Sequence, residues 1–133
     1  MIVVDTSILV AILREEEDAA DLIEILDQTS KSQMKSQISV VSYVETNMVI
    51  YGRAYDADND VTELIEALGI EVMPVSLEQG KAAVAAFLAY GKGRHPAALN
   101  LADCFSYALA KIQQAPLLFK GKDFAMTDLV SAR

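Results

Sequence analysis

Most of the 19 acidic residues of this chain lie on polar faces, but a few sit where apolar sequence surrounds them. Asp5 ends the apolar run Ile2-Val3-Val4 and is followed by Thr6 and Ser7 before apolar sequence resumes. Glu45 lies within VVSYVETNMVI and Asp103 within LNLADCFSYALA, while Asp123 follows PLLF in KGKDFAMTDL, with Asp128 close behind. A carboxylate held beside buried segments costs several kcal/mol unless something pairs with it. Local roles exist for each. Asp5 fits a helix cap, Ser42 and Glu45 form an S-x-x-E capping box, and Asn100 with Asp103 is a close analogue. Three or four such acids gathered in one place would repel one another, and hard oxygen ligands of this kind suit Mg²⁺ or Mn²⁺.

The elements that would gather them follow from periodicity. A strand is predicted over residues 2–5, then a helix from Ser7 to about Arg14 and a second carrying Ala20, Ile23 and Leu26 on one face. Residues 29–36, TSKSQMKS, read as a polar loop, and QISVV (37–41) as a short buried strand leading into a helix from Ser42 to Tyr51. A helix over 60–68 ends at Gly69, a strand covers 70–75, and Ser76 caps a long Ala-rich helix to Tyr90. GKGRHPAA (91–98) is a loop, Asn100 opens a helix to Gln113, and Pro116 begins the strand PLLF, followed by a short Gly-containing tail. Strands alternating with helices predict an α/β fold, a parallel sheet of about four or five strands with helices on both faces. Helices that follow strands start at the carboxyl edge, which puts Asp5, Glu45 and Asp123 there. Asp103 joins them if its long preceding loop returns the chain to that edge.

Composition narrows the class. A length of 133 residues suits one domain spanning 1–133, and 53% hydrophobic content argues against disorder. No apolar run approaches the roughly 20 residues of a membrane span, and Asp5 interrupts what a secretory leader would need, so a cytoplasmic protein is expected. Cys104 is the single cysteine and His95 the single histidine, too few for a zinc site. A net charge of −8 tells against a passive nucleic-acid binder, though not against an enzyme whose carboxylates carry a divalent cation. The runs Glu15-Glu16-Glu17-Asp18 and Asp56, Asp58, Asp60 read as solvated surface.

VVDTSILVAIL, SYVETNMVI, LNLADCFSYALA and PLLFKGKDFAMTDL, in this order, together resemble a PIN-domain ribonuclease, specifically a toxin of the VapC type. The resemblance covers essentially the whole chain. It implies a three-layer α/β/α PIN-like domain, Mg²⁺- or Mn²⁺-dependent endoribonuclease activity on an RNA substrate, homodimerisation, and inhibition by a cognate antitoxin protein. It carries the catalytic acids over to Asp5, Glu45 and Asp103. The fourth falls on Asp123, with Asp128 as fallback, because Lys120-Gly121-Lys122-Asp123 stands where many members have a T-R-D-like turn. On this reading Asp5 and Asp103 are direct metal ligands, Glu45 and Asp123 support the ion or its waters, and Ser7 orients a carboxylate or a water, unless it is only a helix cap.

Other residues get humbler expectations. His95 is a loop residue, not a general base. Lys92, Arg94, His95, Lys120 and Lys122 compose a basic rim for phosphates or scattered surface charge. Cys104, Tyr43, Phe105 and Tyr107 are expected to pack. Ile8, Ile12, Leu22 and Ile25 face either the core or a groove that takes an amphipathic helix of the antitoxin. Two other function classes compete, a non-catalytic PIN-like interaction module and a receiver-like phosphoacceptor.

Overall fold

The computed structural model describes residues 1–53 and 60–133. Strands β1 (Ile2–Val4), β2 (Ser36–Ser39), β3 (Ile70–Met73) and β4 (Leu117–Leu118) form a sheet in the order β3-β2-β1-β4, all parallel. Around it lie helices α1 (Thr6–Leu13), α2 (Ala19–Lys31), α3 (Val40–Arg53), α4 (Val61–Ala67), α5 (Leu77–Tyr90) and α6 (Leu101–Gln113), and a short 3₁₀ turn at Phe124–Met126. Among the described residues, no helix is long and apolar enough to cross a membrane.

Alternation along the strands separates two cores. Ile2, Val4, Ile38 and Leu118 pack with Ile8, Leu9, Ile12, Leu22, Leu26 and Ile65 on one face. Val3 and Leu117 pack with Ala83, Ala86, Leu99, Ala108, Leu109 and Phe124 on the other. The architecture is thus three layers, with α1–α4 opposite α5 and α6. The chain builds outward from β1 through β2 to β3, then returns to place β4 on the other side of β1. That reversal is a topological switch point, and the crevice beyond the carboxyl ends of β1 and β4 is where open sheets bind ligands.

Several boundaries differ from the sequence reading by one or a few residues. The helix α2 takes in Thr29, Ser30 and Lys31, which had looked like loop. Those residues are polar because they lie on its outer side, where Lys31 pairs with Asp27 at 2.6 Å and the Thr29 hydroxyl donates to the Ile25 carbonyl at 2.7 Å. Val40 and Val41 belong to α3 and not to the strand, since the Ser39 hydroxyl accepts from the Val41 N–H at 3.2 Å and turns strand directly into helix. The first helix begins at Thr6, one residue before Ser7. Asp60 caps α4 through the N–H groups of Thr62 and Glu63 at 2.9 and 3.2 Å, whereas Asp56 and Asp58 lie outside the described residues.

Candidate active site

Asp5 ends β1 at the switch point and is only 4% exposed. Of the two readings open to it from sequence, the helix cap is present. It is the N-cap of α1, its Oδ2 accepting from the Ser7 N–H at 3.0 Å and from the Ser7 hydroxyl at 2.7 Å. Its Oδ1 accepts from the buried Ser106 hydroxyl at 2.9 Å. Three donors therefore fix the carboxylate's plane, and the lone pair they leave unused, on Oδ1, is available to a ligand. Ser7 is not a cap. It lies inside α1, and its oxygen also accepts from the Lys120 N–H at 3.0 Å, so it ties Asp5 to the segment that follows β4.

Asp103 stands one turn before Ser106 on α6. The capping box expected there is present: Asn100 Oδ1 accepts from the Asp103 N–H, and Asp103 Oδ2 accepts from the Asn100 N–H, each at 2.9 Å. Burial is the main reason that its carboxyl is pushed up to about 7; the Asn100 N–H opposes this, and the charges of Asp5, Glu45 and Asp123 add to it. Those three charges are the acids carried over from the sequence. All three therefore reach Asp103 electrostatically, from the end of β1, from α3 and from the turn after β4.

The box expected at Ser42 and Glu45 is absent. Ser42 is interior to α3, fully buried, and its hydroxyl lies 2.9 Å from that of Ser106. Glu45 falls in the second turn and lines a groove of about 660 Å³ between α3 and the start of α6, with Val41, Val44, Met48, Asn100 and Leu101. Since no helix cap rests on it, Glu45→Gln is expected to keep stability within about 0.5 kcal/mol and to lose most nuclease turnover. Melting and cleavage measured on one preparation check this, and a destabilised variant with undiminished turnover would return Glu45 to a structural role.

Asp123 is exposed at the start of the 3₁₀ turn and its side chain caps nothing there. Gly121, at φ +108°, makes the bend that brings it round, a conformation open to glycine and strained for other residues. Asp128 has a different role. It accepts from the Tyr107 hydroxyl at 2.6 Å and from Lys111 at 2.7 Å, and these two bonds hold its carboxyl below the usual range.

Of the basic residues named from sequence, Lys120 is engaged in ion pairs. Lys120 Nζ lies between Glu16 at 2.7 Å and Asp18 at 2.8 Å, and Asp18 also binds Arg133 at 3.0 Å. Glu16 and Asp18 are therefore anchors for the β4 end and the C-terminal segment, not simple solvated surface. Arg94 lies 5.8 Å from the centre of the Phe87 ring, while Lys92 and Lys122 are exposed. His95 organises its own loop: Nδ1 accepts from the Ala97 N–H at 3.0 Å, and the ring meets Tyr90 edge-on at 5.1 Å. Cys104 is buried in the α5–α6 core, where Phe105 and Tyr107 also pack, and the Tyr43 hydroxyl bonds Thr62 at 2.7 Å. Ile8, Ile12 and Leu22 are core residues, and Ile25 packs half-buried against them.

Sequence reasoning missed Ser106 and Ser42. The available signal was the spacing Asp103-x-x-Ser106, which puts both side chains on one helix face pointing to the same edge.

An oxygen-only donor set fits a hard divalent cation, and the acidic side chains nearest Asp103 oppose its charge rather than neutralise it. Among the described residues, no group of three Asp, Glu, His or Cys side chains is close enough to enclose an ion alone.

A family model for the PIN domain matches residues 2–129. Ribonuclease VapC30 of Mycobacterium tuberculosis is 42% identical over 130 residues, covering 97% of this chain and 96% of its own. Ribonuclease VapC of Mycolicibacterium smegmatis is also 42% identical over 130 residues, covering 97% and 98%. In fold, the chain superposes on M. tuberculosis VapC20, a sarcin–ricin-loop-cleaving toxin, with TM-score 0.73 at 18% identity, covering 100% of this chain and 99% of that one. A toxin–antitoxin complex from Klebsiella pneumoniae gives TM-score 0.68 at 20% identity, covering 99% and 97%. Near-complete coverage at 42% identity extends the likeness over the whole length of the chain. This chain belongs to the PIN-domain family, among the VapC ribonucleases.

Proposed function

We propose that residues 1–133 form a single nuclease domain, a Mg²⁺- or Mn²⁺-dependent endoribonuclease that is the toxin of a toxin–antitoxin pair and acts in the cytoplasm. The observation that carries this is that the charges of Asp5, Glu45 and Asp123 all act on the half-buried carboxyl of Asp103. Asp5 and Asp103 would hold the ion, with Glu45 and Asp123 positioning its waters. When bound, the ion supplies charge at the scissile phosphate and activates water for attack on phosphorus. The chain's own part is to fix the carboxylates in advance. Ser7 and Ser106 hold Asp5, the Asn100 box holds Asp103, and Lys120 anchors the turn that carries Asp123.

A receiver-like phosphoacceptor would set its late lysine against the acid ending β1. Here Lys120 Nζ is taken by Glu16 and Asp18 instead, which favours the nuclease.

The partner surface moves from the place expected. With Ile8, Ile12 and Leu22 in the core, the fitting site for an amphipathic antitoxin helix is the α3–α6 groove, where Val44, Met48 and Leu101 are exposed beside Glu45. A basic side chain on such a helix would reach the acidic edge. Leu77, Val84 and Leu88 of α5 leave further exposed apolar surface for the partner protomer of a homodimer. The test is cleavage of a structured RNA panel with and without Mn²⁺. Cleavage is expected to stop with a chelator, to return with excess metal, and to be inhibited by the product of the adjacent reading frame. Chelator-resistant cleavage or none would refute the enzyme, and failure of any neighbour to inhibit would refute the toxin role.

A further inference from the structure

Two buried serines stand behind the acidic edge without touching it from the solvent side. Ser106 and Ser42 are both fully buried, on α6 and α3, helices from opposite faces of the sheet. The Ser106 hydroxyl is 2.9 Å from Asp5 Oδ1 and 2.9 Å from the Ser42 hydroxyl. An ionised carboxylate only accepts, so Ser106 must donate to Asp5. Its single proton is then used, and Ser42 must donate to Ser106. The Ser42 carbonyl accepts in turn from the Thr46 hydroxyl at 2.7 Å and the Thr6 hydroxyl at 3.4 Å, which holds this part of α3 against the residue next to Asp5. The proton order Ser42 to Ser106 to Asp5 is thereby fixed, and each link polarises the next.

We infer that Ser106 and Ser42 form a buried relay that sets which lone pair of Asp5 faces the divalent cation, making both of them positioning residues for the metal site. The inference rests on the nuclease reading of that edge. Ser7 restrains only Oδ2, and a carboxylate held on one oxygen can rotate about its Cα–Cβ and Cβ–Cγ bonds; Ser106 restrains the other oxygen. A donor to one oxygen also localises charge toward it and so tunes its strength as a ligand.

The test is Mn²⁺ binding by titration calorimetry and by paramagnetic resonance of free Mn²⁺, beside RNA cleavage, on Ser106→Ala, Ser42→Ala and the double variant, with Asp5→Asn as reference. Ser106→Ala is expected to weaken Mn²⁺ about 10- to 100-fold, the range typical when a hydrogen-bonding partner of a ligand is lost. Ser42→Ala should weaken it less, and the double variant should match Ser106→Ala, because Ser42 acts only through Ser106. Ser42→Ala leaves the Asp5 bond in place, so it still decides the matter if Ser106→Ala does not fold. Wild-type Mn²⁺ affinity in Ser106→Ala or, where that variant does not fold, in Ser42→Ala would overturn the relay, as would independent, additive effects of the two. If Asp5→Asn itself binds Mn²⁺ as the wild type does, the site reading fails instead, and the two failures are thereby told apart.

Discussion

Asp5→Asn is expected to lower divalent-dependent RNA cleavage by about 10²–10³-fold, the rate equivalent of several kcal/mol of transition-state charge stabilisation, while the protein stays folded. The amide keeps the shape of the side chain and removes its charge. Asparagine is as good a helix N-cap as aspartate, so its oxygen can keep the bonds from the Ser7 N–H and hydroxyl. Its NH₂ would then face Ser106, whose hydroxyl is free to rotate, accept from the amide and donate toward Ser42. Each side chain keeps a partner, the Ser42 hydroxyl now as acceptor with its own proton unpaired, and stability should fall by about 1–3 kcal/mol. Urea denaturation beside cleavage rates separates the two effects. Near-wild-type cleavage by the folded variant would remove Asp5 from the metal site, and with it the argument from the switch point.

The architecture and three of the four candidate acids could be read from sequence because each rests on local contrast. Asp5 breaks an apolar run, and Glu45 and Asp103 interrupt apolar helices, so their oddity is visible without a structure. Chain order alone then puts Asp5, Glu45 and Asp123 at one sheet edge, since helices that follow parallel strands must start there. What stayed hidden depends on contacts between distant residues. Ser42-x-x-Glu45 and Asn100-x-x-Asp103 look alike as strings, yet only the second is a capping box. The difference is that Ser42 finds Ser106 across 64 positions of sequence, while α3 has already started at Val40. Apolar periodicity shows that a helix has a face but not what covers it. Ile8, Ile12 and Leu22 turned inward while Val44 and Met48 stayed exposed. Lys120 likewise looked free, because its partners Glu16 and Asp18 lie 104 and 102 residues away.

The second large effect belongs to Asp103, and its sign runs against the usual expectation for an aspartate. The folded protein holds this carboxyl's pKa at about 7, against 3.8 as the ordinary value. Between those values the folded state keeps a proton that the unfolded state has released, so stability is greatest at low pH and is lost as pH rises to about 7. Solvent screening of a carboxyl that is only partly buried brings this loss to on the order of 1–2 kcal/mol. Without added metal the protein should therefore melt lower at pH 8 than this residue alone would allow at pH 6. Asp103→Asn should remove that part of the slope and be more stable at pH 8, since asparagine can still accept from the Asn100 N–H and keep the box. Mg²⁺ should reverse the ranking. A cation must displace the proton below pH 7, so wild-type affinity should fall about tenfold per pH unit there and level off above it. At pH 8 saturating Mg²⁺ should raise the wild-type melting temperature and leave Asp103→Asn nearly unmoved. Melting curves at two pH values, each with and without Mg²⁺, contain the whole test. A variant that is less stable at pH 8 and gains as much from Mg²⁺ as the wild type would show Asp103 to be a helix cap and nothing more.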